Sequence, residues 1–63
     1  MRIEYRIPPT LHVGSCVIVG RSGFGETARE NALWEYNSMR RHDDLPPVKG
    51  FPQGTVSKRI PTT

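Results

Sequence analysis

Apolar and polar residues alternate without a break from Arg2 to Ile7. Ile3, Tyr5 and Ile7 fall on one side and Arg2, Glu4 and Arg6 on the other, the period-two pattern of a half-buried strand over residues 2–7. Pro8-Pro9-Thr10 closes that strand, because proline has no N–H for the ladder. A second strand is predicted from about Leu11 to Val19. Leu11, Val13, Val17 and Val19 share one parity, while Cys16 and Ile18 make the other side partly apolar as well. Two-sided apolarity points to a central strand, or to one covered by a second subunit.

The period then changes. Over about residues 27–41, Ala28, Ala32, Leu33, Tyr36 and Met39 gather within one arc of roughly 140° at helical spacing, wide enough for a core-facing stripe. Arg29 and Arg40 point into the same arc, near its Leu33 edge. Trp34 lies on the opposite side with Glu30, Asn31, Ser38 and Arg41, and an exposed tryptophan on a small domain points to an interface or a ligand. Thr27-Ala28-Arg29-Glu30 fits a capping box, with the Thr27 hydroxyl on the third helical amide and Glu30 reaching back. Leu45-Pro46-Pro47 stops the helix, since the residue before a proline is pushed towards extended geometry. Residues 45–54 form a Pro/Gly-rich loop with Phe51 as its anchor. Thr55 to Ile60 resumes the alternation around Lys58 as a third strand. The expected fold is a single α+β domain over 1–63, a β-β-α-β chain. It has a three-stranded antiparallel or mixed sheet with one helix packed across it.

Length limits what this pattern can bury. A domain of 63 residues hides only about 60% of the surface its unfolded chain exposes, and such chains usually need a staple or a partner. Cys16 is the one cysteine, so no internal disulfide forms, and its place in an apolar strand suggests a buried, inert thiol. His12, His42 and Cys16 lack ligand spacing, so no metal site is expected. Self-association is the support that remains. A formal charge of +3 favours anionic partners without forming the dense basic tract that signals nucleic acid directly. No stretch approaches the roughly 20 apolar residues of a membrane span. The expectation is a soluble, cytoplasmic protein with no membrane partner.

The candidate chemistry centres on the strand–glycine loop–helix order from Val17 onward. Gly20-Arg21-Ser22-Gly23-Phe24-Gly25-Glu26-Thr27 has the outline of a phosphate loop. Glu26 stands where a lysine must meet the phosphates, and the chain is too short for that fold, so triphosphatase activity is rejected. Backbone amides from Ser22 to Thr27 and the Arg21 guanidinium can still hold a phosphate without hydrolysing it. Arg40-Arg41-His42 offers a second cationic site at the far end of the helix. A helix of ~14 residues spans ~21 Å, so one small ligand cannot reach both ends within a subunit. Ser22 has no evident base and neither histidine an orienting carboxylate, so no catalytic set appears and no enzyme is expected.

Gly20 to Thr27, with Trp34-Glu35-Tyr36-Asn37 and Arg40-Arg41, resembles the small virus-encoded sponge proteins that sequester nucleotide immune signals such as cyclic ADP-ribose isomers. The resemblance implies a non-catalytic homodimer or higher homo-oligomer, without cofactor, acting in evasion of anti-phage defence from the host cytoplasm. Its ligand would be a phosphate-bearing nucleotide of the cyclic ADP-ribose or cyclic dinucleotide type, in pockets between subunits. The ligand-binding candidates are Arg21, Ser22, Gly23, Phe24, Gly25, Thr27, Trp34, Arg40 and Arg41. Glu26 departs from this picture, because a carboxylate beside a phosphate is unfavourable. Two other readings stand beside it: an inhibitor that binds a host protein through the Trp34 face, and a weak nucleic-acid binder.

Overall fold

Three strands, β1 (Arg2–Ile7), β2 (Cys16–Arg21) and β3 (Val56–Ile60), form one sheet, and a helix, α1 (Ala28–His42), lies across one of its faces. The computed structural model describes residues 1–23, 25 and 27–61. Both pairings are antiparallel and the strand order is β2-β1-β3, which places the first strand in the middle.

The first strand and the helix lie where the periodicity puts them. The second strand does not. Residues 11–15 are outside it, and it runs on to Arg21 because its register follows β1, from Ile7 opposite Cys16 to Arg2 opposite Arg21. Beyond Ile7 come two prolines with no amides to pair. The chain turns there instead: the Thr10 amide donates to the Val13 carbonyl at 2.7 Å and the Val13 amide to Thr10 Oγ1 at 3.1 Å. Of the two readings of this strand, central or covered by a second subunit, the central one is corrected, since β2 is an edge of the sheet. Its core-facing residues are Cys16, Ile18 and Gly20, whereas Val17 and Val19 face away from the helix, 57% and 39% exposed. Within the chain, one face of this edge strand packs on the helix and the other carries Val17 and Val19.

Tyr5 and Ile7 from β1, Ile18 from β2, and Ala28, Ala32 and Tyr36 from α1 make the buried core. Burial of a large side chain is worth about 1.5–3 kcal/mol, so a core with few of them depends on close fit. That fit is set at Gly20, which is buried against the first turns of the helix. A Cβ added there would fall inside the van der Waals envelope of the Ala28 carbonyl and 2.9 Å from the Ala32 Cβ. Glycine on the strand and alanines on the helix thus let the two backbones approach.

The loop after the helix covers the rest of this face. Phe51 stacks on Tyr5 with ring centroids 4.9 Å apart and lies 5.8 Å from Tyr36, as the expected anchor of that loop. Asn37 clamps the loop to the helix by a two-way pair with Val48: its Nδ2 donates to the Val48 carbonyl and its Oδ1 accepts from the Val48 amide, both at 2.9 Å. The helix ends in a Schellman turn. The Asp44 amide donates to the Arg41 carbonyl and the Leu45 amide to the Arg40 carbonyl, with Asp44 at φ 57°, where glycine is the usual residue. No helix among the described residues is long and apolar enough to cross a membrane.

Candidate functional site

The helix presents Asn31, Trp34 and Glu35 on one side, at the i, i+3, i+4 spacing that stacks side chains into a single stripe. This stripe runs past the edge of β2, and Val19 and Arg21 close it from the sheet. The result is a shallow cleft of about 310 Å³ lined by Val19, Arg21, Asn31, Trp34 and Glu35. Asn31 fixes its floor, because its Oδ1 accepts the Arg21 backbone amide at 3.0 Å and ties the end of β2 to the helix. Trp34 is 70% exposed. An exposed cation and an exposed aromatic thus share one concave surface with a carboxylate and a carboxamide. Such a surface can stack a planar ring, pair an anion and hydrogen-bond the edge of the ring.

The other candidates are dispersed around it. Ser22 is held by the chain start: its amide donates to the Met1 carbonyl at 3.0 Å, and the Met1 ammonium donates to Ser22 Oγ at 3.0 Å. Gly23 has open space around it, and Gly25 sits at φ 84°. Phe24 and Glu26 lie outside the described residues. Thr27 caps the helix as expected, its Oγ1 accepting the Glu30 amide at 3.1 Å. The reciprocal contact differs from the capping box, because the Thr27 hydroxyl donates to the Glu30 carboxylate at 3.1 Å. A carboxylate therefore stands at the helix N-terminus and already complements its dipole. Gly20, the first residue of the presumed loop, belongs to β2 and serves packing.

Arg40 and Arg41 stand at the far end of the helix, as its length requires. Arg40 Nε donates to the Pro46 carbonyl at 2.8 Å and holds the loop after the helix, while Arg41 is exposed. Neither lines the Arg21–Trp34 cleft. Asn31 and Glu35 were not among the ligand-binding candidates, although the sequence set Asn31 on the Trp34 side of the helix. Only their spacing from Trp34 could have marked them, once β2 was known to lie beside that side of the helix.

Two larger hollows lie elsewhere. One of about 430 Å³ beside Phe51 has Arg29 as its cation, and that guanidinium sits 6.0 Å from the Phe51 ring centre. The other, about 380 Å³, opens at the Arg6 end of the sheet beside Cys16, whose thiol is pushed up from its ordinary pKa by burial. The raised pKa keeps that thiol protonated and poorly nucleophilic near neutrality. Among the described residues, no group of three His, Cys, Asp or Glu side chains is placed to hold a metal ion. Comparison of the chain with protein-family models, with curated proteins and with solved structures gives no match.

Proposed function

We propose that the chain is a non-catalytic binding protein that takes a phosphate-bearing nucleotide in the Arg21–Trp34 cleft. The observation that carries this reading is the meeting of Arg21 and Trp34, from separate elements, on one concave surface. Trp34 stacks the base, the Arg21 guanidinium pairs with a phosphate, and Glu35 accepts an exocyclic amine at the base edge. The resemblance to sponge proteins makes cyclic ADP-ribose isomers and cyclic dinucleotides the first ligands to titrate. It also keeps sequestration by a homo-oligomer as the role proposed here.

Calorimetric titration tests the reading. A charge-assisted contact is worth about 1.5–3 kcal/mol, so Arg21→Ala should weaken binding by roughly 10- to 150-fold. Trp34→Ala should cost about 1–3 kcal/mol through lost stacking. Both positions are exposed, so circular dichroism should show the fold intact. If no nucleotide binds, or if both variants bind as the parent does, the cleft is not a nucleotide site. Binding of a host protein through Trp34 would then lead.

A further inference from the structure

The face of the sheet turned away from the helix carries three rows of side chains set by the strand register. They are Arg21, Arg2 and Ile60; Val19, Glu4 and Lys58; and Val17, Arg6 and Val56. Val17 and Val56 are more than half exposed, and Arg2, Arg6, Arg21 and Lys58 are exposed as well. Four cations share this face with one carboxylate among the described residues. Glu4 is committed to Arg6, whose Nε lies 3.3 Å from its Oε2.

The order of the cations is informative. Arg2 and Arg21 are directly opposed on neighbouring strands, a placement in which like charges repel. An anion between them turns that repulsion into two attractions. Lys58 is diagonal to both Arg2 and Arg6, and such diagonals measure about 7–8 Å. The positive charges thus run obliquely as Arg21, Arg2, Lys58, Arg6, over about 13 Å along β1. The diagonal step of about 7–8 Å between neighbouring cations is of the same order as the spacing of successive phosphates in an extended strand. The line starts at the Trp34 cleft and ends at the apolar hollow formed by Pro8, Cys16, Val17 and Val56.

We infer that this face is a track for single-stranded nucleic acid, its phosphates following the four cations while a base beyond the β2 edge stacks on Trp34. The inference rests on the nucleotide reading of the Arg21–Trp34 cleft and extends its ligand from a free nucleotide to one within a strand. A second copy of the chain fits poorly, because it would bring two positive faces together. Duplex fits poorly too, since paired bases leave Trp34 nothing to stack on.

Fluorescence anisotropy with a labelled oligodeoxycytidylate of about ten nucleotides, whose bases carry the exocyclic amine, tests the track against free deoxycytidine monophosphate, a hairpin duplex and polyglutamate. Three to four phosphate contacts predict a log–log salt slope of about −2 to −3. Affinity should then fall about 20- to 50-fold between about 50 and 200 mM salt. Lys58→Gln should weaken the oligonucleotide about 4-fold at about 0.15 M salt and make the slope shallower by about 0.7. It should leave monophosphate binding unchanged. Arg59→Gln removes the same charge from the next residue, on the other side of the strand, and should change affinity by less than about 2-fold. Arg2→Gln repeats the test should Lys58→Gln disturb the sheet. Equal effects of Lys58→Gln and Arg59→Gln overturn the track, as does binding of duplex or polyglutamate as tight as that of the single strand. If the monophosphate or a cyclic nucleotide binds and the oligonucleotide binds no tighter, the track falls and the cleft stands. If none of them binds, both fall.

Discussion

Gly20→Ala adds one methyl group at the point where β2 meets the helix. The backbone there lies outside the left-handed region, so alanine meets no conformational penalty and the whole effect is steric. The new Cβ overlaps the Ala28 carbonyl and stands 2.9 Å from the Ala32 Cβ, against about 3.5–4.0 Å for an ordinary carbon–carbon contact. The obstacle is helix backbone, which no rotamer change can move, so the helix N-terminal half must shift off the sheet. Overpacking of this kind costs about 1–3 kcal/mol, and a backbone obstacle puts Gly20 at the upper end. A chain of 63 residues has a total stability of about 3–9 kcal/mol, so a third or more of it is at stake. Urea denaturation followed by circular dichroism should show the midpoint falling with the slope unchanged. Gly23→Ala is the matched control, because a Cβ there meets nothing within 4 Å, and it should stay within about 0.5 kcal/mol of the parent. A Gly20→Ala chain as stable as its Gly23→Ala counterpart would refute the close approach of helix and strand.

Two further substitutions test the packing on the helix side. Asn37→Ala removes both hydrogen bonds to Val48 and leaves that half-buried amide and carbonyl unpaired, so a loss of about 1–3 kcal/mol is expected in the same denaturation assay. Faster proteolysis of the 45–54 loop should accompany it, and unaltered cleavage would show that Phe51 alone holds the loop. Tyr36→Phe removes a fully buried hydroxyl that has no partner among the described residues, so thermal unfolding should show unchanged or raised stability, by up to about 1 kcal/mol. A clear destabilisation would mean that the hydroxyl is hydrogen-bonded in solution.

Local rules were enough for the elements that are regular along their own length. Clean alternation identified Arg2–Ile7, and the 3.6-residue stripe and the Thr27 cap located the helix to within a residue, although its end is the Schellman turn after His42 rather than the proline pair. Phe51 was legible as an anchor because it is the one aromatic in a Pro/Gly-rich loop. The exposed side of Trp34 followed from the same helical arithmetic. These features depend on neighbours in the chain, which the sequence displays directly.

What required the tertiary structure was every feature that depends on which element lies beside which. β2 is apolar on both faces, and periodicity cannot say which face packs. Gly20 decided it, because only a residue without a side chain admits the Ala28–Ala32 face of the helix. Pairing of β1 with both β2 and β3 makes β2 an edge, and the Gly20 contact sets Trp34 beside Arg21. It also withdraws Gly20 from the presumed phosphate loop. The line of cations has a similar origin. Arg2 and Arg6 were visibly on one side of β1, but Arg21 and Lys58 joined them only through antiparallel register, which pairs residues far apart in sequence. Hydrophobic period names the faces of each element; close packing and register decide which side chains meet.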